Sequence, residues 1–215
     1  LHLAPLPPSH RRRRHRSAAR AVSVAGVVLA AGGGTRFSRD GASGPAHKLL
    51  ALFRGRPLVA WSVGAALGAG LDEVLVVTGA VELDGVLPAG ITLVRNEQWA
   101  CGQASSLRAG IEMCAQRGHV AAVVGPADQP LVPASAWRAV AGAPGGPIVV
   151  ATYGGLRRNP ARLDREVWSL LPAAGDEGAR ALMRRHPELV HEVVCEGDPA
   201  DVDTLADLRA IEGAS

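Results

Sequence analysis

The chain has 215 residues, 47% of them hydrophobic but only 3% aromatic, a length that suits one domain whose core is built from Val, Leu, Ile and Ala in layered α/β packing. Its net charge of +3 is misleading, because residues 1–20 hold six arginines and no acid, contributing +6 and leaving the rest of the chain at −3. That mildly acidic remainder gives no case for a phosphate-backbone groove, and no nucleic-acid partner is expected.

The Pro- and Arg-rich residues 1–21 read as a disordered extension. Arg11 to Arg14 followed by the apolar run Ala21 to Ala31 imitates a secretory or twin-arginine signal. The run continues into glycines and a basic residue, however, which suits a buried strand better. No other segment is apolar over the ~18 residues of a membrane span. Residues 22–215 read as one domain.

Val24 to Leu29 is a nearly continuous aliphatic run, as in a central parallel strand covered on both faces. A long loop follows. Pro57 to Gly68 has helical spacing with Pro at the first helical position, and Glu73 to Thr78 is a second buried strand. Ile91 to Val94 is a short strand, Ala104 to Arg117 a helix, and Val120 to Val124 another strand. Ala134 to Ala141 is a helix, Gly142 to Gly146 a turn and Pro147 to Tyr153 a strand. Three further helices are expected at Asp164 to Leu171, Glu177 to His186 and Thr204 to Ile211, with a strand at Leu189 to Cys195. This alternation implies a doubly wound, mostly parallel sheet with ligands at the carboxyl ends of its strands.

Gly32, Gly33 and Gly34 follow the first strand closely, so backbone N–H groups there can encircle phosphate oxygens, or the run simply turns the chain. Arg36 adds a rigid five-donor fork suited to phosphates. Lys48 is the only lysine in a chain with 22 arginines. Its retention marks either a place where a compact ammonium is needed, such as beside a triphosphate whose leaving pyrophosphate gathers charge, or chance survival on a solvated surface.

Asp128 emerges just beyond the strand Val120 to Val124, a natural magnesium position and equally a turn or cap position. In Asp201-Val202-Asp203-Thr204, Asp203 is either a metal ligand or the cap of the last helix, and capping prevails unless the fold brings it to Asp128. Gly102, Gln103 and Ser106 open a helix and can hold a base or ribose, although capping explains the serines as well. Thr78 and Gly79 close the second strand at the same edge, where they line the nucleotide pocket or form an ordinary turn. The histidines show no ligand-spaced cluster, and the three cysteines (Cys101, Cys114 and Cys195) are widely spaced without a C-x-x-C pair. They read as reduced thiols of a cytoplasmic protein without zinc.

Leu29-Ala30-Ala31-Gly32, Arg36-Phe37, Lys48-Leu49-Leu50, Asp128-Gln129-Pro130 and Asp201-Val202-Asp203-Thr204, in this order, resemble the MobA-like NTP-transferase family. The branch most similar is molybdenum cofactor cytidylyltransferase. The resemblance covers about residues 24 to 212 and takes in Gly102 to Gly110, Asn159-Pro160 and Gly175 to Arg180. It implies a Rossmann-like nucleotidyltransferase fold, a mostly parallel sheet flanked by helices in three α/β/α layers. It also implies transfer of an NMP to a phosphorylated acceptor with release of pyrophosphate.

Carried onto this chain, the resemblance gives the triphosphate to Leu29, Ala30, Ala31, Gly32, Gly33 and Gly34, its charge to Arg36 and Lys48, and Mg2+ to Asp128 and Asp203. Gly102, Gln103 and Ser106 match base and ribose contacts, while Asn159 and Gly175 to Arg180 face the acceptor. Ala31 stands where guanylyltransferase relatives tend to have glycine, which favours CTP. The acceptor implied is molybdopterin, with another phosphorylated cofactor precursor or a sugar phosphate as alternatives and a molybdenum enzyme as possible client. Two departures stand out: the Arg36 to Lys48 spacing is long, and Ala127 replaces a glycine. A non-catalytic assembly factor for molybdenum enzymes is a rival reading. An NAD-linked oxidoreductase is another, but Gly32-Gly33-Gly34-Thr35-Arg36-Phe37 lacks the third glycine of G-x-G-x-x-G.

Overall fold

A computed structural model describes residues 23–39 and 47–213. The expected extension over residues 1–21 lies outside them, as does most of the long insert before Lys48. A seven-stranded sheet has the order β5-β4-β1-β6-β8-β7-β9. Its strands are β1 (Val24–Ala30), β4 (Glu73–Thr78), β5 (Thr92–Arg95), β6 (Ala121–Pro126), β7 (Ile148–Tyr153), β8 (Leu156–Asp164) and β9 (Val190–Val194). Pairings are parallel except those of β8 with β6 and β7.

The central strands β1, β4, β6 and β7 bury both faces, as their aliphatic runs require. From β1, Ala25 and Val27 enter one core with Leu107, Ile111 and Cys114 of α3 (Gln103–Arg117) and Leu182 of α5 (Ala179–Arg185). Val28 and Ala30 enter a second core with Val59 and Val63 of α2 (Leu58–Gly68) and Trp137 and Val140 of α4 (Ala134–Gly142). The result is the expected three-layer, mostly parallel α/β/α arrangement. The chain winds from β1 outward to β4 and β5, then returns to β6 on the other side. This reversal opens a crevice at the carboxyl ends of β1 and β6.

Three elements differ from the sequence expectation. β8 was not expected, because LRRNPARLD carries three arginines and a proline. Its extended form is imposed by ladders on both sides, and Pro160, which has no N–H to give, falls where the β7 register shifts between Val150 and Ala151. The expected helix Asp164 to Leu171 is instead the end of β8 followed by a 3-10 turn, Arg165–Leu170. The long loop before α2 holds a short helix, α1 (Thr35–Arg39), a 3-10 turn (Lys48–Leu50) and a hairpin of β2 (Leu52–Phe53) and β3 (Arg56–Pro57). Pro57 thus ends β3 and caps α2 rather than opening it. Arg54 at φ 47 and Gly55 at φ 76 form the hairpin's two-residue turn.

That hairpin joins α1 and α6 (Leu205–Gly213) in a third small core of Phe37, Phe53, Leu58, Val202, Leu208 and Ile211. Lys48 is thereby carried on a supported arm beside the sheet edge.

Close approach of α3 to the sheet depends on Gly110, where a Cβ would meet Val27 Cγ1 at 2.6 Å and Val77 Cγ2 at 3.2 Å. Valine is stiff at χ1 and cannot turn aside. Gly110→Ala therefore loses about 1 kcal/mol net, overpacking outweighing the helix-propensity gain. Thermal unfolding should show a Tm lower by roughly 2–4 °C, and an unchanged or raised Tm would contradict this packing.

Candidate active site

The crevice is a cavity of about 360 Å³. One wall is the run from Leu29 to Arg36, the others Lys48, Trp99, Gly102, Gln103, Ser106, Asp128, Asp176 and Asp203. β1 ends at Ala30, and the loop is tied down by Ala127 N donating to Leu29 O and Ala80 N donating to Ala31 O. Gly34 needs its glycine, with φ +59 and a Cβ position 3.0 Å from His47 Nε2. Around Gly32 nothing among the described residues would meet a Cβ within 4 Å, which leaves room there for a ligand to come close to the backbone.

Lys48 stands opposite. Its ammonium donates to Asp128 Oδ2 at 2.6 Å and to Asp203 Oδ1 at 2.8 Å, and its side chain is only 13% exposed. Burial works against the charge, but the two carboxylates outweigh it and hold the Lys48 pKa above the usual lysine value. Arg36 pairs with the other oxygen of Asp203 at 3.0 Å while remaining largely exposed. The four charged groups expected from sequence are thus assembled from three distant stretches of chain.

Local hydrogen bonds explain how Asp203 is available. Thr204 caps α6: its hydroxyl accepts from Asp207 N, and Asp207 accepts from Thr204 N and Asp203 N. This reciprocal box relieves Asp203 of capping. Beside it, Gln129 is 2% exposed and donates to Pro199 O and Asp201 Oδ1, while Val202 N donates to Asp128 O. These bonds clamp the β6 loop to the segment before α6. They also turn Asp201 away to a separate cavity with Tyr153 and Arg158. Burial and the Asp128 charge push the Asp201 pKa up.

The second wall is held by Asn96, buried, whose amide donates to the hydroxyls of Ser105 and Ser106 and whose carbonyl accepts from Gln98 N. Gly102 sits at φ +99 against Asp176 and Gly175, and Ala104 N donates to Gly175 O. The Gly175 to Arg180 turn therefore packs directly on the Gly102 loop. Asn159, Gly178 and Arg180 line a small adjoining cavity that shares Leu29 and Gln103 with the main one. Thr78 and Gly79 do not line the cavity. Thr78 pairs with Ala30 in the sheet, and a Cβ on Gly79 would lie 2.6 Å from Trp99 Cβ and 2.9 Å from Ala31, so they support the loop from beneath.

Asp128 Oδ1 is buried and has no hydrogen-bond partner among the described residues. A buried carboxylate oxygen of this kind fits a divalent cation, which prefers such donors. No group of three or more His, Cys, Asp or Glu among the described residues is arranged to hold a metal. Asp128 and Asp203 would therefore leave further positions to water and substrate phosphates, as magnesium sites do.

The MobA-like NTP transferase profile matches residues 26–190. The chain belongs to this family. Among solved structures, a nucleotidyl transferase from Methanothermobacter thermautotroptrophicus is similar with a TM-score of 0.76 and 25% identity, over 89% of this chain and 97% of that one. Rv0371c from Mycobacterium tuberculosis, in complex with manganese, is similar with a TM-score of 0.72 and 27% identity, over 90% and 100%. A nicotine blue oxidoreductase from Paenarthrobacter nicotinovorans is 34% identical over 85% of this chain and 93% of its own length. Family and neighbours together support a transferase acting on nucleotides, and a manganese complex exists within that set. No described helix is long and apolar enough to cross a membrane.

Sequence reasoning missed Trp99 and His47. Trp99 projects from a 3-10 turn, with its ring edge 3.3 Å from where a Gly33 Cβ would stand. His47 is 5% exposed, bonded through Nε2 to Gly32 O at 2.8 Å and accepting from Leu49 N at Nδ1. With Nδ1 an acceptor, the proton sits on Nε2, and the neutral ring ties the glycine loop to the Lys48 turn. A His immediately before the lone lysine was the available signal.

Burial lowers the His47 pKa, the bond to Gly32 opposes this, and the Lys48 charge lowers it further. The folded protein therefore favours the neutral ring. Its stabilisation is full above the usual histidine value of about 6.5 and is lost as pH falls through the depressed folded value. In paired pH–stability curves, the advantage of wild type over His47→Asn should shrink as pH falls below about 6.5. An advantage constant with pH would contradict this role.

Proposed function

We propose that the protein transfers CMP from CTP to a phosphorylated acceptor of the molybdopterin type, releasing pyrophosphate and using Mg2+. The observation that carries this is the placement of Lys48, Arg36, Asp128 and Asp203 around one cavity with the glycine loop. Two cations and two carboxylates facing a glycine loop match the needs of triphosphate chemistry better than those of a neutral substrate.

In this reading the Gly32 to Gly34 backbone seats the triphosphate, and Gly102, Gln103 and Ser106 receive base and ribose, with the Trp99 ring beside them as a flat apolar surface. Asp128 and Asp203 would hold the metal, which supplies neutralisation of phosphate charge when bound. An acceptor phosphate oxygen attacks the α-phosphorus in line from the side of Asn159 and the Gly175 to Arg180 turn. The bond to the β-phosphate breaks, and Lys48 and Arg36 offset the charge gathering on pyrophosphate. No covalent protein intermediate is needed, since positioning and charge account for catalysis. Ala31 favours CTP by its resemblance to cytidylyltransferases. The same reading makes residues 22–215 one cytoplasmic domain with no nucleic-acid or membrane partner and a molybdenum enzyme as possible client.

A second reading follows from the oxidoreductase relative. A nicotinamide dinucleotide also presents a pyrophosphate between two bases, so the glycine loop and Arg36 suit it too. Against it, the third glycine of the dinucleotide fingerprint is Phe37 here, buried in the small core. The non-catalytic assembly-factor reading is disfavoured by the retention of all four charged groups.

Pyrophosphate release measured with CTP, GTP, UTP and ATP, with Mg2+ and with or without molybdopterin, should show turnover with CTP only when the pterin is present. Lys48→Ala should lower it by a factor on the order of 100–1,000. GTP or UTP preference would sink the cytidylyl assignment, and NADH oxidation without pyrophosphate release would replace transfer by the redox reading.

A further inference from the structure

We infer that Lys48 is a built-in stand-in for the divalent metal, so that metal and triphosphate bind as a coupled pair with this lysine as the link. The inference rests on the triphosphate reading above. Of the four carboxylate oxygens at the site, Lys48 holds Asp128 Oδ2 and Asp203 Oδ1, and Arg36 holds Asp203 Oδ2. Of these, Asp128 Oδ1 is left, buried and without a hydrogen-bond partner among the described residues. Within this cluster the two carboxylates and two cations cancel, which weakens the attraction that draws a divalent ion to paired acids, although Asp176 adds a further acid to the cavity lining.

A metal held by both Asp128 and Asp203 would compete with the ammonium for their carboxylate oxygens, in a half-buried place where water screens little. Metal entry therefore requires Lys48 to leave. Its four-carbon stem is flexible and its charge compact, so it can move without disturbing the backbone turn that His47 holds. Gly32 to Gly34 line the same cavity as Lys48, and a triphosphate seated on them offers the ammonium a richer anion. Leaving the aspartates for the phosphates, Lys48 exposes the carboxylate pair to metal. Each ligand then raises the affinity of the other by the same factor.

The test uses Mn2+ as probe, without nucleotide, in equilibrium binding followed by calorimetry or electron paramagnetic resonance. Lys48→Met should bind Mn2+ at least about tenfold more tightly than wild type, and Lys48→Arg, which keeps the charge, should stay weak. Lys48→Met binding Mn2+ no better than wild type overturns the inference. This arm contains no nucleotide, so its result is independent of which nucleotide the enzyme uses. A second measurement needs only the wild-type protein. Mn2+ alone should leave its Tm nearly unmoved, whereas Mn2+ with tripolyphosphate should raise it by more than the two separate shifts combined. A large rise with Mn2+ alone contradicts the stand-in role, and tripolyphosphate that fails to bind at all counts against the triphosphate reading instead.

Discussion

One buried ammonium between two carboxylates sets the shape of the site. Lys48 reaches Asp128 across 80 positions of sequence and Asp203 across 155, so three loops that share no local reason to meet are drawn to one point. Taking the cation away would leave two half-buried carboxylates facing each other, a costlier state than the paired one. Asp203 in turn anchors Arg36, which brings the start of α1 to the same cluster.

The scaffold is arranged so that this pairing costs little elsewhere. β1 and β6 deliver the glycine loop and Asp128 to the same edge, Gln129 clamps the segment carrying Asp203 to the β6 loop, and Thr204 with Asp207 closes α6 without using Asp203. His47 then fixes the Lys48 turn to the glycine loop. The loops that carry the functional side chains are fastened by Gln129, Thr204, Asp207 and His47, while the charged groups facing the cavity hold one another. The backbone that carries these charges is thus set before any ligand arrives, so the rearrangement left to Lys48 is that of its own flexible side chain.

Most of the sheet was legible from sequence because β1, β4, β6 and β7 are aliphatic runs that only a doubly covered strand needs. β8 was not, since its arginines and proline conceal a strand whose extension comes from neighbours on both sides. The hairpin before α2 was hidden in the same way, as its two-residue strands are too short to show a period. At the site, the lone lysine stood out by composition, and Asp128 by its place after a strand. The choice between Asp201 and Asp203 could not be made from spacing, because it depends on which one Gln129 takes. Trp99 was invisible for a related reason, since its relevance lies in what it touches across the fold, and His47 offered only its place beside the lone lysine.

The account stands on real coupling between Lys48 and Asp203 rather than on mere proximity. A double-mutant cycle of Lys48→Met and Asp203→Asn, read by equilibrium unfolding without metal or nucleotide, measures that coupling directly. The account predicts non-additivity of about 1 kcal/mol or more. Effects that add to within about 0.3 kcal/mol would contradict it.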